Sequence, residues 1–279
     1  MRSEADIYKL IDDFSQDSRI RAVLLNGSRA NPEVTADPFQ DYDFAFVVDA
    51  LETFIEDTSW LERFGPRLIM QIPESMRHPA NDGHYGWMFI LEDNVRLDMQ
   101  FFPISMIPSV RSDSLLRVLI DKDDHFINLP PSSDQAYWVE APTTLDYFSC
   151  CNNFYWCLQN VAKAIVRKEI PQALIMYESV VKPELYEMLN WFIGTQHNFR
   201  ISTGKMGKYY EKHLSDSLYK MYLQTYARAD GLELWEAMES AIELFEILAI
   251  TVGNNMGYPF NHHDKVGILK HLTWLKTFL

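Results

Sequence analysis

The sequence predicts an α+β protein with a mixed sheet and flanking helices in its N-terminal half, followed by an all-helical C-terminal domain. Short apolar runs with strand periodicity, separated by polar breaks, fill the first half of the 279 residues. From about residue 143 the apolar residues recur at helical spacing with few helix breakers. A hydrophobic content of 47% is sufficient for two cores. We therefore expect two domains, 1–135 and 136–279.

The N-terminal elements follow from local patterns. A capping-box sequence, Ser3-Glu4-Ala5-Asp6, precedes apolar residues at helical spacing and predicts an amphipathic helix over 4–16 that covers the sheet. A short polar break, Glu92-Asp93-Asn94, predicts a hairpin between the last two of the predicted strands. A single helix is expected over 51–64. The predicted strands are 20–25, 43–48, 87–91 and 95–102.

The C-terminal half is predicted to contain long helices. One helix is expected over 147–168, and Pro171 is expected at the start of the next, where its missing N–H donor does no harm. The segment Asn261-His262-His263-Asp264 is interpreted as a loop or helix cap rather than a metal cluster. Further helix boundaries are expected at Pro183, Gly204, Gly207 and Gly231.

Composition restricts the classes of partner and the compartment. The formal net charge is −14, from 25 basic and 39 acidic residues, which argues against sequence-independent nucleic-acid binding and weakly favours cationic partners. No apolar run approaches membrane-spanning length, and the first residues carry charge instead of a signal-peptide core. We expect no membrane segment and a cytoplasmic location. The three cysteines are interpreted as buried, reduced thiols.

Three aspartates in the predicted sheet form the candidate chemical centre. Asp41 and Asp43 are two residues apart at the start of a strand, so their carboxylates are expected on the same face. Asp98 lies on the polar face of a later strand and can supply a third carboxylate. Clustered carboxylates raise each other's pKa unless a cation neutralises them. Oxygen ligands without a nearby His or Cys favour Mg²⁺ over zinc.

A phosphate-binding turn is predicted directly after the first strand. Gly27 allows close backbone approach, Ser28 adds a hydroxyl donor and Arg29 adds positive charge. A Gly-Ser pair is ordinarily a turn, and an Asp-x-Asp sequence is ordinarily a solvated loop. It is their ordered combination with a third strand aspartate that indicates metal-dependent nucleotide chemistry.

This combination resembles the nucleotidyltransferase superfamily and, within it, the bacterial aminoglycoside 6-adenylyltransferases, which modify streptomycin. The resemblance runs nearly end to end, through RIRAVLLNGSRAN, PFQDYDFAFVV, FGPRLIMQIPESM, RLDMQFFPI and VAKAIVRKEI. It implies a nucleotidyltransferase-type sheet carrying a Mg²⁺ site, a helical substrate-binding domain, ATP as co-substrate, a small cationic acceptor and a role in antibiotic resistance.

The resemblance also implies roles for individual residues. The Gly27-Ser28 pair matches the phosphate-binding turn, Asp41 and Asp43 match the metal-binding pair, and Asp98 matches a third carboxylate that is a metal ligand or general base. Lys163 matches a lysine of the helical domain near the ATP phosphates. The implied reaction is in-line attack of a substrate hydroxyl on the α-phosphorus of ATP.

The acceptor is the open part of this prediction. Glu140 is a candidate acceptor-binding carboxylate, although an isolated Glu is more often in a surface salt bridge. Neutral residues replace acidic family residues at Asn26, Ser149, Asn153 and Ile175. Two alternatives follow: a different polyol or amine-bearing acceptor, or streptomycin bound through other residues. A non-catalytic nucleotide-binding regulator is the alternative function.

Overall fold

The computed structural model describes residues 2–279. The chain divides into two compact units, Met1–Ala136 and Tyr137–Leu279. The first unit contains one six-stranded sheet with short helices, and the second contains helices only. The predicted fold class is thereby confirmed, while the separate roles predicted for the two segments stay predictions. Among the described residues, no helix has both the length and the apolar character needed to cross a bilayer.

The sheet is mixed, with strand order β3-β4-β5-β2-β1-β6. Strands β2 and β5 are parallel and all other neighbours are antiparallel, including the β4–β5 hairpin that the polar break predicted. The four predicted strands are confirmed, and two edge strands, β3 and β6, were not predicted. The strands are β1 (Ile20–Asn26), β2 (Tyr42–Val48), β3 (Arg67–Gln71), β4 (Tyr85–Leu91), β5 (Arg96–Pro103) and β6 (Leu116–Asp121).

Three short α-helices accompany the sheet, α1 (Glu4–Ser15), α2 (Leu51–Glu56) and α3 (Ile107–Val110). The capping box at Ser3 is formed as predicted, since its side chain accepts from the Asp6 N–H. The single helix expected over 51–64 was wrong, because α2 ends at Glu56 and a 3-10 helix covers Ser59–Phe64. Asp57 is extended and its carboxylate accepts from the Ser59 N–H at 2.9 Å, a local bond that competes with helix continuation.

Each face of the sheet has its own core. An aromatic-rich core lies on the face covered by α1, where Phe46 and Phe101 stack with ring centroids 4.9 Å apart. The opposite face carries a smaller aliphatic core that includes Ala45 and Val47. Because side chains alternate along β2, Asp43 shares this second face and lies at its end.

The helical unit is built around two long helices, α4 and α9, which pack through Phe154 and Phe245 with rings stacked at 3.8 Å. All three cysteines are free and buried, as predicted, and burial raises the pKa of the Cys151 thiol to about 12. The helices are α4 (Thr144–Val166), α5 (Ile170–Met176), α6 (Lys182–Gln196), α7 (Tyr210–His213), α8 (Asp216–Gln224), α9 (Gly231–Met256) and α10 (His262–Lys276).

The predicted boundaries of this unit have mixed outcomes. Pro171 lies in the first turn of α5 and Gly231 begins α9, as predicted. Pro183 marks a boundary as predicted, since it lies in the first turn of α6, although a π-helical turn, Tyr177–Val181, joins α6 to α5. The cap interpretation of the His-His segment is confirmed, since the Asn261 side chain accepts from the Asp264 N–H.

Candidate active site

Two adjacent parallel strands position the three predicted aspartates. Asp43 in β2 is the register partner of Asp98 in β5. Asp41 directly precedes β2 and, being two residues from Asp43, shares its face. The carboxylates of all three act on one another electrostatically. The structure thus brings the three predicted residues together at one end of two neighbouring strands.

The turn after β1 lies directly against this cluster. Gly27 begins a 3-10 turn, Gly27–Arg29, with a left-handed φ of +67°. A Cβ atom at this position would lie 2.2 Å from Oδ2 of Asp43, so no side chain fits there without displacing the carboxylate. Glycine at this position is therefore required both by the backbone conformation and by the approach to Asp43.

The cluster is electrostatically unfavourable without a cation. Burial, reinforced by the charges of Asp98 and Asp41, raises the pKa of Asp43 to about 6. Burial also raises the pKa of Asp41, and Asp98 is itself only 9% exposed. A nearby positive charge stabilises the ionised form of carboxylates that are held in this way.

Arg96 supplies the positive charge in this structure, a role that sequence reasoning missed. Its Nε and Nη2 donate to Oδ1 and Oδ2 of Asp98 at 2.9 and 2.7 Å, and its Nη1 lies 3.2 Å from Oδ2 of Asp41. The available signal was the spacing, since Arg96 and Asp98 are two residues apart on one face of a strand.

The donor set has the chemistry of a site for a hard divalent cation. Asp41, Asp43 and Asp98 offer carboxylate oxygens, and a raised pKa at two of them marks negative charge that a cation would stabilise. Arg96 bridges two of these carboxylates. The described residues contain no group of three or more His, Cys, Asp or Glu side chains close enough to one another to hold a metal ion. The convergence of the three on one Mg²⁺ stays a prediction.

Arg29 is held by its own segment of chain. Its Nε and Nη2 donate to the main-chain oxygens of Asp41 and Gln40 at 3.1 and 3.0 Å, and its guanidinium stacks 3.7 Å from the ring centroid of Tyr42. These contacts connect the Gly-Ser turn to the residues that precede β2. The predicted phosphate contact of Arg29 requires it to exchange some of these partners, and it stays a prediction.

The helical unit contains an acidic cavity of about 850 Å³. Glu140, the candidate acceptor-binding residue, lines it, and Trp138 and Trp191 add aromatic surface. Desolvation, together with the charges of Glu184 and Asp146, raises the pKa of Glu187. Sequence reasoning missed these last three carboxylates, which α4 and α6 bring to the same cavity. The lining suits a ligand that carries several positive charges.

Comparison with known proteins decides the family. The family model described as streptomycin adenylyltransferase matches residues 1–275. The chain belongs to the streptomycin adenylyltransferase family. Proteins named aminoglycoside 6-adenylyltransferase are similar to it: one from Bacillus subtilis is 34% identical over 97% of both chains, and one from Campylobacter jejuni is 33% identical over 95% of this chain and 93% of its own. A third, from Staphylococcus aureus, is 33% identical over 95% of this chain and 96% of its own.

Family membership makes the protein an enzyme of the nucleotidyltransferase class, as the sequence predicted. The four positions at which neutral residues replace acidic family residues lie in different places. Ser149 and Asn153 line the acidic cavity, where Asn153 Nδ2 donates to Glu184 Oε1 at 2.6 Å. Asn26 Nδ2 donates to Asp113 Oδ2 at 3.1 Å beside the Gly-Ser turn, and Ile175 is 67% exposed. Two of the substitutions therefore bear directly on the cavity.

Lys163 is a predicted site residue that lines neither the acidic cavity nor the aspartate cluster. It lies half-buried in the last turn of α4, where its positive charge interacts favourably with the negative end of the helix dipole. The contact with ATP phosphates that the family resemblance implies for this lysine stays a prediction.

Proposed function

We propose that this member of the streptomycin adenylyltransferase family transfers AMP from ATP to a hydroxyl group of a cationic aminoglycoside and releases pyrophosphate, with Mg²⁺ as cofactor. The observation that carries the proposal is the pairing of Asp43 with Asp98 on parallel strands, with Asp41 beside them and the Gly27 turn against Asp43. The names of the relatives support an aminoglycoside acceptor.

The nucleotide end of the reaction is assigned to the first unit. Asp41, Asp43 and Asp98 would hold Mg²⁺, which on binding neutralises their charge and stabilises charge on the phosphate oxygens. Main-chain N–H groups at Gly27 and Ser28 would bind phosphate oxygens, because the turn lies directly against Asp43 and glycine allows close approach of the backbone.

Asp98 acts as the general base. The acceptor hydroxyl oxygen forms a bond to the α-phosphorus, the bond from that phosphorus to the bridging oxygen breaks, and pyrophosphate leaves with the electron pair. The hydroxyl proton goes to the Asp98 carboxylate.

The acceptor end is assigned to the acidic cavity of the helical unit. Glu140, Asp146, Glu184 and Glu187 present carboxylates to a ligand, and charge-assisted hydrogen bonds from ammonium or guanidinium groups are strong contacts for such a set. The proposal therefore places the positive charges of the acceptor in this cavity.

The decisive experiment measures pyrophosphate release with Mg-ATP and a panel of acceptors that includes streptomycin and other aminoglycosides. Asp98→Asn keeps the shape and loses basicity, so kcat is expected to fall by about 100-fold or more. Asp123→Asn is the matched control, because Asp123 also pairs with an arginine of the sheet but lies away from the cluster. A near-normal kcat for Asp98→Asn would remove it from the mechanism.

The same assay tests the acceptor site. Glu187→Gln is expected to raise the acceptor KM by about tenfold with little change in kcat, since it removes one charge-assisted contact. Glu211→Gln, an exposed acidic residue outside the acidic cavity, is the control. An unchanged KM would move the acceptor elsewhere. Nucleotide binding without turnover for every acceptor of the panel would instead point to an acceptor of a different class.

A further inference from the structure

Arg96 makes both ion pairs that the structure describes for the aspartate cluster. It covers both carboxylate oxygens of Asp98 with a two-pronged pair of hydrogen bonds, at 2.9 and 2.7 Å, and its third nitrogen approaches Asp41 to 3.2 Å. Two-pronged pairing between guanidinium and carboxylate is geometrically specific. The guanidinium thus bridges two of the three groups to which the cation site is assigned.

This bridge competes with the role proposed for Asp98. Each oxygen of Asp98 accepts one hydrogen bond from Arg96, which leaves a lone pair on each oxygen but places a positive charge against a carboxylate to which the cation site is assigned. A divalent cation and the guanidinium repel each other there, so cation binding favours the release of at least one contact of Arg96.

Arg96 has room to move. Its side chain is 43% exposed, in contrast to 13% for the side chain of Asp98. It also lines a cavity of about 700 Å³ in the first unit, where Arg2 and Arg29 lie together with the acidic residues Glu4, Asp37 and Asp41. A guanidinium leaving the carboxylates therefore has space in which to move and further charged groups near it.

We propose that Arg96 holds the place of the metal in the resting enzyme and exchanges Asp41 and Asp98 for phosphate oxygens of the nucleotide when a divalent cation binds. The planar fork that fits a carboxylate fits a phosphate equally well. Arg96 is thus a positioning residue that couples cation binding to nucleotide binding. This inference rests on the proposed function, because it requires the cation to bind at these carboxylates.

The test is a titration of the purified full-length protein with Mn²⁺, with free Mn²⁺ measured by electron paramagnetic resonance. Without nucleotide, Arg96→Gln is expected to bind Mn²⁺ about five- to tenfold more tightly than the wild type, because a competing cation has been removed. Arg96→Lys keeps the charge without the fork and is expected to lie between the two. Arg21→Gln, which removes an arginine–carboxylate pair elsewhere on the sheet, is expected to match the wild type.

A second titration, with α,β-methylene-ATP and saturating Mn²⁺, is expected to show weaker nucleotide binding for Arg96→Gln. Equal or weaker Mn²⁺ binding by Arg96→Gln would overturn the proposal and leave Arg96 as a support for Asp98. The Asp43→Asn variant distinguishes failure of the cation site from failure of the role proposed for Arg96. If the wild type binds Mn²⁺ no better than Asp43→Asn, the cation site itself fails. If Asp43→Asn loses binding but Arg96→Gln does not gain it, only the role of Arg96 fails.

Discussion

Because the pKa of Asp43 is raised in the folded state, ionisation of this carboxyl lowers the free energy of unfolding. The carboxyl has an ordinary value of 3.8 and a folded value of about 6, so between these values the folded state binds more protons than the unfolded state. Its contribution to stability therefore falls as pH rises through this window, and the cost is complete above about pH 6.

Asp43→Asn is accordingly expected to stabilise the protein while abolishing AMP transfer. At pH 7 the free energy of unfolding should rise by about 1–3 kcal/mol, because the amide removes the charge and keeps the shape. Urea denaturation at pH 7 and near pH 4 measures this, and the gain should shrink at the lower pH. Mg²⁺ should raise the Tm of the wild type and leave that of the variant unchanged. If the variant is less stable than the wild type at pH 7, the ionised carboxylate of Asp43 does not destabilise the folded state.

Lys182 also has a strongly shifted pKa. Its side chain is fully buried among Tyr177, Tyr186, Tyr222 and Tyr226, with Nζ 2.9 Å from the ring centroid of Tyr226. Burial lowers its pKa from 10.5 to about 8. Between these values the unfolded state binds more protons, so the contribution of Lys182 to stability rises with pH.

The predicted result is a pH-dependent difference between Lys182→Met and the wild type. Between about pH 8 and 10 the free energy of unfolding of the wild type should rise relative to that of the variant. The reason is that a neutral amine is destabilised by burial less than an ammonium group is. Urea denaturation over this range provides the measurement. Lys220→Met, at an exposed position of α8, is the control and should show no such trend. Parallel pH profiles for Lys182→Met and the wild type would show that the amine titrates normally.

At the scale of elements, the turn Gly27–Arg29 joins backbone conformation to the site. Gly27→Ala places a Cβ on a backbone with φ of +67° and against Asp43 Oδ2. The left-handed conformation alone costs about 1 kcal/mol. Gly257→Ala is a matched control, because φ there is +76° and no atom lies within 4 Å of the added Cβ.

Gly27→Ala should therefore destabilise the protein more than Gly257→Ala and should also weaken nucleotide binding, which Gly257→Ala should not. Urea denaturation and the KM for ATP give the two readouts. If the two substitutions have equal effects on stability and on the KM for ATP, the close approach of Gly27 to Asp43 does not contribute to nucleotide binding.

At the scale of the whole molecule, the two units have separate cores. The core cluster of the helical unit contains only residues from the helical half, and the two clusters of the sheet unit contain only residues from the first half. A unit with its own core is expected to fold alone. The fragment 137–279 should therefore give a helical circular dichroism spectrum and a cooperative urea transition. A broad, non-cooperative transition, with the fragment 1–136 as comparison, would show that the core of the helical unit is insufficient.

The sequence by itself determined the features that depend on neighbouring residues. The capping box at Ser3, the hairpin and the alternation that faces Asp41 with Asp43 are all set by spacing along one strand or one helix end. The edge strands were missed because an edge strand such as β3, largely exposed, carries a weak alternation of its own and depends on pairing with a partner strand.

Only the tertiary structure decided which distant groups meet. Asp98 becomes the partner of Asp43 through parallel pairing of two strands that are not consecutive in the chain. Arg96 reaches Asp41 only because of that pairing, and the acidic cavity exists because α4 and α6 bring Asp146 and Glu187 to the same space. Local periodicity fixes the face on which a side chain lies, whereas the partner across that face is set by packing between elements, which no local pattern encodes.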